Sequence, residues 1–307
     1  MSYASLKNKI LFKKYRVNKI IGEGSFGCVF KGINIIDKSE IAIKVEQKNS
    51  KMHVLENESQ FLLYLKGFGI PEIKSFGYNS KFYILIEELL GPNLSQLNEN
   101  KNFNIKDLAM IAIQIIDRIE YVHSKYIIHR DIKPENFTIG NKNLKTIYII
   151  DFGISRKYKS SRTGKHVNYS LTGKLFGTVR YLSYNASRGV EQSRRDDLES
   201  IGYMLIHLAT GNLPWKGLKL KSLNTKKNYL EMLYLKNFTH PEEICKGLPP
   251  EFAQYLKYCK KLNFEQDPNY DYLRSLFINI LTKNNLINDL KFSWIINEKS
   301  KKKVIQI

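Results

Sequence analysis

His129-Arg130-Asp131-Ile132-Lys133-Pro134-Glu135-Asn136 decides how this chain reads. The run places a carboxylate, an ammonium and an amide oxygen close together, and Asp151-Phe152-Gly153 adds a second carboxylate after a strand-like stretch at 146–150. Taken singly, each polar residue reads as a turn aspartate or an Asx cap. Taken together they are the parts that phosphoryl transfer needs: a carboxylate to accept a hydroxyl proton, oxygen ligands for Mg²⁺, and cations over the phosphates. Asp131 is the expected base, Asn136 and Asp151 the expected metal ligands, and Lys133 a cation beside the transferred phosphate.

Upstream, Gly22-Glu23-Gly24-Ser25-Phe26-Gly27-Cys28-Val29 is a G-x-G-x-x-G-x-V run between two strand-like segments. Without a Cβ, glycine lets the backbone approach phosphate oxygens closely. Alone the run is ambiguous, because the same spacing marks dinucleotide-binding turns and ordinary hairpins. A dinucleotide turn must open a helix, and residues 29–32 read as a strand, which favours a loop folded over a nucleotide. Ile41-Ala42-Ile43-Lys44 follows and closely matches the V-A-I-K pattern, in which a lysine contacts the α- and β-phosphates. The bland alternative, a lysine on the solvent face of a strand, fits poorly with a mostly apolar strand after a glycine loop. Such a lysine needs a carboxylate partner. Glu58, on a helix expected around 54–65, is the natural candidate, and Glu56 points to another side of that helix.

Working outward, strands are expected near 20–21, 28–30, 41–45 and 81–87. After the turn signal Gly91-Pro92 the pattern becomes helical, most clearly at 105–124, where Leu108, Ile111, Ile115, Ile119 and Val122 keep a three-four spacing. Further helices are expected at 197–210, 228–235, 250–263 and 270–282. The expected class is therefore α+β: a small β-rich amino-terminal lobe and a larger, mainly α carboxy-terminal lobe, with a ligand cleft between them.

These motifs, in this order and each in a suitable local setting, resemble those of eukaryotic protein kinases and, within them, the casein kinase I family. The resemblance runs from about Tyr15 to Trp294. Its most specific parts are Leu89-Leu90-Gly91-Pro92, Ile132-Lys133-Pro134-Glu135-Asn136-Phe137, the run from Gly189-Val190-Glu191-Gln192 through Arg194-Arg195-Asp196-Asp197 to Ser200, and Leu213-Pro214-Trp215-Lys216-Gly217-Leu218. Ser183-Tyr184-Asn185 stands where most protein kinases have A-P-E and this family has S-I-N. The resemblance implies the bilobal kinase fold over 15–294 (lobes of about 15–89 and 93–294, then a short basic tail at 295–307) and ATP-dependent transfer to Ser or Thr. Lys133, two places after the base, agrees with Ser/Thr rather than Tyr. It implies ATP contacts from Ile21, Gly22, Gly24, Ser25, Gly27, Val29, Ala42, Lys44, Glu58, Glu88 and Leu90, and metal contacts from Asn136 and Asp151. Asp197 matches the central-helix aspartate that supports the catalytic loop, and Thr178 a threonine lining the substrate loop.

Net charge is +20, from 49 Lys and Arg against 29 Asp and Glu. Charge alone admits nucleic acid, an anionic membrane surface or acidic substrates as partners, or no partner at all, since Lys, Asn, Ile, Tyr and Phe are abundant and surface lysines accumulate at little cost. The resemblance ranks them: the family favours acidic or already phosphorylated protein substrates, so nucleic acid falls well behind. Arg180 falls on the family's anion-binding arginine and Gly217 on a glycine of that site; its lysine falls within 219–227, with Lys226 or Lys227 as the match. Lys133 and Arg156 extend the basic surface.

The 43% hydrophobic and 12% aromatic content supplies a sizeable core and excludes a disordered chain. Only Cys28, Cys245 and Cys259 occur, odd in number and scattered, which points to a reduced intracellular setting, cytoplasmic or nuclear. No apolar run approaches the roughly 18 to 20 residues of a membrane helix, and residues 1–14 lack a signal-peptide pattern. A soluble monomer is expected, whose lysines in 299–307 read as a solvated end rather than a nuclear address. Two departures stand out. Glu87 occupies the position beside the adenine pocket that the family usually fills with an apolar residue, which requires a shifted strand or an unusual pocket. Residues 160–173 also differ from the family. A catalytically silent scaffold of the same fold is the rival reading, which the intact Lys44, Asp131, Asn136 and Asp151 oppose.

Overall fold

The computed structural model describes residues 3–24, 27–50, 52–99, 103–218 and 225–296. Strands β1 (Ile10–Leu11), β2 (Tyr15–Gly24), β3 (Gly27–Asn34), β4 (Glu40–Gln47), β5 (Ile73–Tyr78) and β6 (Phe82–Glu88) form one antiparallel sheet in the order β1-β2-β3-β4-β6-β5. Period-two alternation decides which face each residue takes. Ile41, Ile43 and Val45 on β4 and Phe82, Ile84 and Ile86 on β6 turn to one side and pack with Val17, Cys28 and Phe30 into the sheet's own core, which Leu6 and Leu11 also join. The intervening residues Ala42, Lys44, Leu85 and Glu87 turn to the other side, where helix α1 (Val54–Tyr64) lies. Glu46, fully buried, accepts from Leu55 N at 2.9 Å and so caps the start of α1 from β4. The apolar face of α1, Leu55 and Leu62 with Leu65 just beyond, belongs to the larger core of the second lobe and not to the sheet's core.

In that second lobe, α2 (Leu94–Leu97) and α3 (Ile105–Ser124) each start on a capping box, Asn93 with Gln96 and Asn104 with Asp107. Strand β7 (Ile127–Ile128) leads into the catalytic run, and the hairpin β8 (Phe137–Ile139) and β9 (Ile147–Ile149) follows it. Strand β10 (Arg156–Lys157) returns to pair with β7. Beyond α4 (Tyr184–Ser187), helix α5 (Arg194–Thr210) is buried on almost every face, and Gly211 ends it in the left-handed conformation (φ 71°). Helices α6 (Thr225–Phe238), α7 (Pro241–Ile244), α8 (Pro250–Lys261) and α9 (Tyr270–Lys283) complete the lobe, α8 packing on α5 and α9 on α3.

The two-lobe arrangement and most long elements match expectation, with α3 agreeing at both ends. Helix α5 starts three residues before the expected 197, and α6 runs further at both ends than 228–235. The short strands β1, β5, β7, β8 and β10 were not expected. The three cysteines are buried and free. Among the described residues no helix is long and apolar enough to cross a membrane.

Candidate active site

The catalytic run is held from below by one buried carboxylate. Asp197, near the start of α5, accepts from His129 N (2.7 Å), Arg130 N (2.9 Å) and His123 Nε2 (3.0 Å), while His123 Nδ1 accepts from the Tyr270 hydroxyl (2.7 Å). Burial alone would raise the Asp197 pKa, but these donors more than offset it and hold the carboxyl below its ordinary value. Burial pushes the His123 pKa down. The backbone is strained at Arg130 (φ 70°) and Asp151 (φ 69°), a conformation that costs a non-glycine residue about 1 kcal/mol or more. His129 bridges the two segments, accepting from Asp131 N (3.2 Å) and donating to the Ile150 carbonyl (3.0 Å).

So placed, Asp131 is buried and held by three side chains. Its Oδ2 accepts from Lys133 Nζ at 2.5 Å and from Asn136 Nδ2 at 3.3 Å, and its Oδ1 from Thr178 Oγ1 at 2.8 Å. Burial alone would lower the Lys133 pKa, and the Asp131 carboxylate outweighs it, so that the ammonium is retained. Thr178 reaches Asp131 because Gly177 lies against the catalytic loop: a Cβ there would sit 2.2 Å from the Arg130 carbonyl oxygen. Asn136 turns its amide nitrogen to Asp131, which leaves its side-chain oxygen available.

Across the cleft, Lys44 on β4 donates to Glu58 on α1 at 2.8 Å. Glu56 does not take that place. Glu87 lies 3.1 Å from the same ammonium, and β4 and β6 run in unbroken register from Ile41↔Glu88 to Gln47↔Phe82, which excludes a shifted strand. A buried carboxylate is tolerated there because Lys44 is its partner; its second oxygen, Oε2, has none among the described residues. Burial would lower the Lys44 pKa, but Glu58, Glu87 and Asp151 outweigh it and hold the lysine protonated. Burial, with Asp151 and Glu87 adding to it, pushes Glu58 up to about 7 against the pull of Lys44. Glu58 also accepts from Phe152 N (3.3 Å), and Asn57 Nδ2 donates to the Gly153 carbonyl (2.9 Å), so α1 is tied to the Asp151-Phe152-Gly153 turn.

A cavity of about 330 Å³ joins the two sides, lined by Gly24, Gly27, Val29, Lys44, Glu58, Lys133, Asn136 and Asp151 among others. Gly27 is required by packing, since a Cβ would stand 2.1 Å from the Val45 carbonyl oxygen. Gly22 pairs with Val29 on the same hairpin. The remaining expected nucleotide contacts stand off this cavity: Ile21 is exposed on β2, Ala42 is buried on β4 opposite Glu87, Glu88 ends β6 and accepts from Glu72 N, and Leu90 follows it. Ser25 lies outside the described residues. A divalent cation fits the Asp151 carboxylate and the Asn136 amide oxygen, hard donors on one cavity wall. Among the described residues no cluster of three or more His, Cys, Asp or Glu side chains could hold a metal, so such an ion would lean on phosphate and water oxygens as well.

Of the expected anion site, Arg180 is exposed and makes no ion pair among the described residues. Trp215 Nε1 donates to its carbonyl (2.8 Å), tying the segment that carries Gly217 to Arg180. Lys226 and Lys227 are exposed at the start of α6, and no described contact joins them to Arg180. Residues 219–224 lie outside the described residues. Arg156 is paired with Glu191 (2.7 Å) rather than free. Sequence reasoning missed Lys236, an apparently ordinary helix lysine that is fully buried beneath the segment carrying Arg180.

Residues 15–275 match the family model described as protein kinase domain. The chain is 42% identical over 300 residues to a protein named casein kinase I homolog 3 from Schizosaccharomyces pombe, an alignment covering 96% of this chain and 68% of that one.

Proposed function

The chain belongs to the protein kinases and, within them, to the casein kinase I family, and from that premise we propose that it carries the γ-phosphate of Mg²⁺-bound ATP to Ser or Thr hydroxyls flanked by acidic or already phosphorylated residues. Its activity as an ATP-dependent Ser/Thr protein kinase comes with the family; the ion and the substrate preference are the proposal.

One observation supports the catalytic assignment above the others. Asp131 is buried at the cleft with Lys133 on one oxygen and Thr178 on the other, so its carboxyl group is fixed in place beside a cation. In this reading Asp131 orients the incoming hydroxyl and accepts its proton, and Lys133 offsets charge on the group in transit. Lys44, held by Glu58, steadies the phosphates, and Gly24 and Gly27 let the hairpin backbone cover them. Mg²⁺ at Asn136 and Asp151 would neutralise phosphate charge. Glu87, the departure from the family beside the adenine pocket, is paired with Lys44 and so lends no support to a silent scaffold. Arg180, exposed and free of ion pairs among the described residues, supports anion recognition, because a guanidinium fork binds two phosphate oxygens at once.

The test is phosphate transfer from labelled ATP to an acidic peptide in primed and unprimed forms. Wild-type protein should phosphorylate the primed peptide more efficiently, and Asp131→Asn should lower the rate by about a hundred- to ten-thousandfold. Absence of transfer by the wild type with Mg²⁺ present would reject the reading.

A further inference from the structure

Lys236, late in α6, is 0% exposed. Its Nζ donates to the carbonyls of Val179 (2.9 Å) and Leu182 (2.6 Å) and to Ser187 Oγ (3.1 Å), under the rings of Trp215 (5.2 Å) and Tyr203 (5.8 Å). It makes no ion pair among the described residues. Glu199, the acidic group whose charge reaches it, turns one oxygen, Oε1, to Tyr184 N (2.9 Å) and the Tyr203 hydroxyl (2.8 Å). Burial pushes its pKa down to about 7, with Glu199 opposing and Lys260 adding to the fall.

Desolvating an ammonium with no carboxylate costs several kcal/mol, so this lysine is expensive as packing material. Three acceptors take all three of its hydrogens, an arrangement that only the charged form completes. All three belong to one stretch, residues 179–187. Thr178 at the head of that stretch bonds Asp131, and the Arg180 carbonyl is taken by Trp215. The stretch is thus attached to the catalytic carboxylate at one end and fixed from beneath by α6.

We propose that Lys236 is a positioning residue for protein substrate: its buried ammonium sets the backbone of residues 178–187, and through it the places of Thr178 and Arg180. This rests on the reading of that stretch as the surface receiving the substrate hydroxyl. Lys236→Met keeps the bulk and removes charge and donors; Lys236→Arg keeps the charge. Steady-state constants for peptide and for ATP, peptide-independent ATP hydrolysis and thermal melting separate the outcomes. For Lys236→Met, loss of bonds from a charged donor should raise the peptide KM on the order of ten- to a hundredfold. The ATP KM and peptide-independent hydrolysis should stay within about twofold, and Lys236→Arg should recover part of the peptide affinity. An unchanged peptide KM overturns the assignment, as does a parallel shift of peptide and ATP constants. Loss of ATP binding in both variants also overturns it and makes Lys236 a core-stability residue. Failure of the wild type to transfer phosphate rejects the functional reading instead.

Discussion

Replacing Lys44 by Met should be far more damaging to stability than replacing Glu87, although the two form one ion pair. Lys44 is 13% exposed in its side chain, Glu58 2% and Glu87 6%. Removing the ammonium leaves two buried carboxylates facing each other, with Asp151 close by, and breaking a buried pair in this way costs about 3 to 5 kcal/mol. Glu87→Met removes a buried charge that already carries an unpartnered oxygen, and Glu58 still holds Lys44 at 2.8 Å. Because Lys44 keeps Glu58 as a charged partner, this exchange strands no buried charge and should change stability by less than about 2 kcal/mol. In Lys44→Met/Glu87→Met one of the two orphaned carboxylates is gone, so about 1 kcal/mol or more of the Lys44→Met loss should return. Thermal melting of the four proteins measures this, at roughly 2 °C per kcal/mol for a large domain. Glu87→Met more than about 2 kcal/mol less stable than wild type, beyond the usual cost of a volume-conserving swap, would refute the reasoning. So would a double variant no more stable than Lys44→Met.

Arg180→Ala should lower kcat/KM for a primed peptide by about ten- to a hundredfold while changing the unprimed peptide little, because only the former presents a phosphate to the guanidinium. Equal loss on both peptides would remove Arg180 from the anion site. His123 is neutral in the fold and its pKa lies below the ordinary 6.5, so the folded chain binds fewer protons than the unfolded chain below that value. The stability it contributes is present above pH 6.5 and is lost as pH falls below it; urea titrations between pH 5 and 7 should show that slope, flattened in His123→Gln.

What could be read before any fold was known follows from how local each signal is. The catalytic run and the Asp151-Phe152-Gly153 turn are short and rely on residue types, so they were legible. The partner of Lys44 was legible because helix geometry separates Glu56 from Glu58, and Glu58 is the one that lies 2.8 Å from it. The early start of α5 had a signal that was passed over: Asp196 accepts from Ser193 N at 2.8 Å, the reciprocal half of a capping box. Strand β5 was not legible, because Ile73, Ser75 and Phe76 are only half-buried and Gly77 interrupts the pattern. Lys236 and Glu46 were illegible for a different reason. A charged residue on a helix or strand reads as solvated, and only tertiary contacts, three acceptors in one case and the α1 N-terminus in the other, reveal it as buried.

The packing of α1 with the larger core has a mechanical meaning. Lys44 is built on the sheet, most of whose buried apolar residues form a core of their own, whereas Glu58 rides on a helix whose apolar residues join the larger core and which bonds both Glu46 of β4 and the Asp151-Phe152-Gly153 turn. Their ion pair is therefore a joint between the sheet and a helix that packs on it while being tied to the catalytic turn, and its length registers whether sheet and turn are in gear. A substitution at Leu62 or Leu65, far from either ligand, would loosen the gearing while leaving every catalytic side chain intact, and a partner that presses on α1 would act on the same lever.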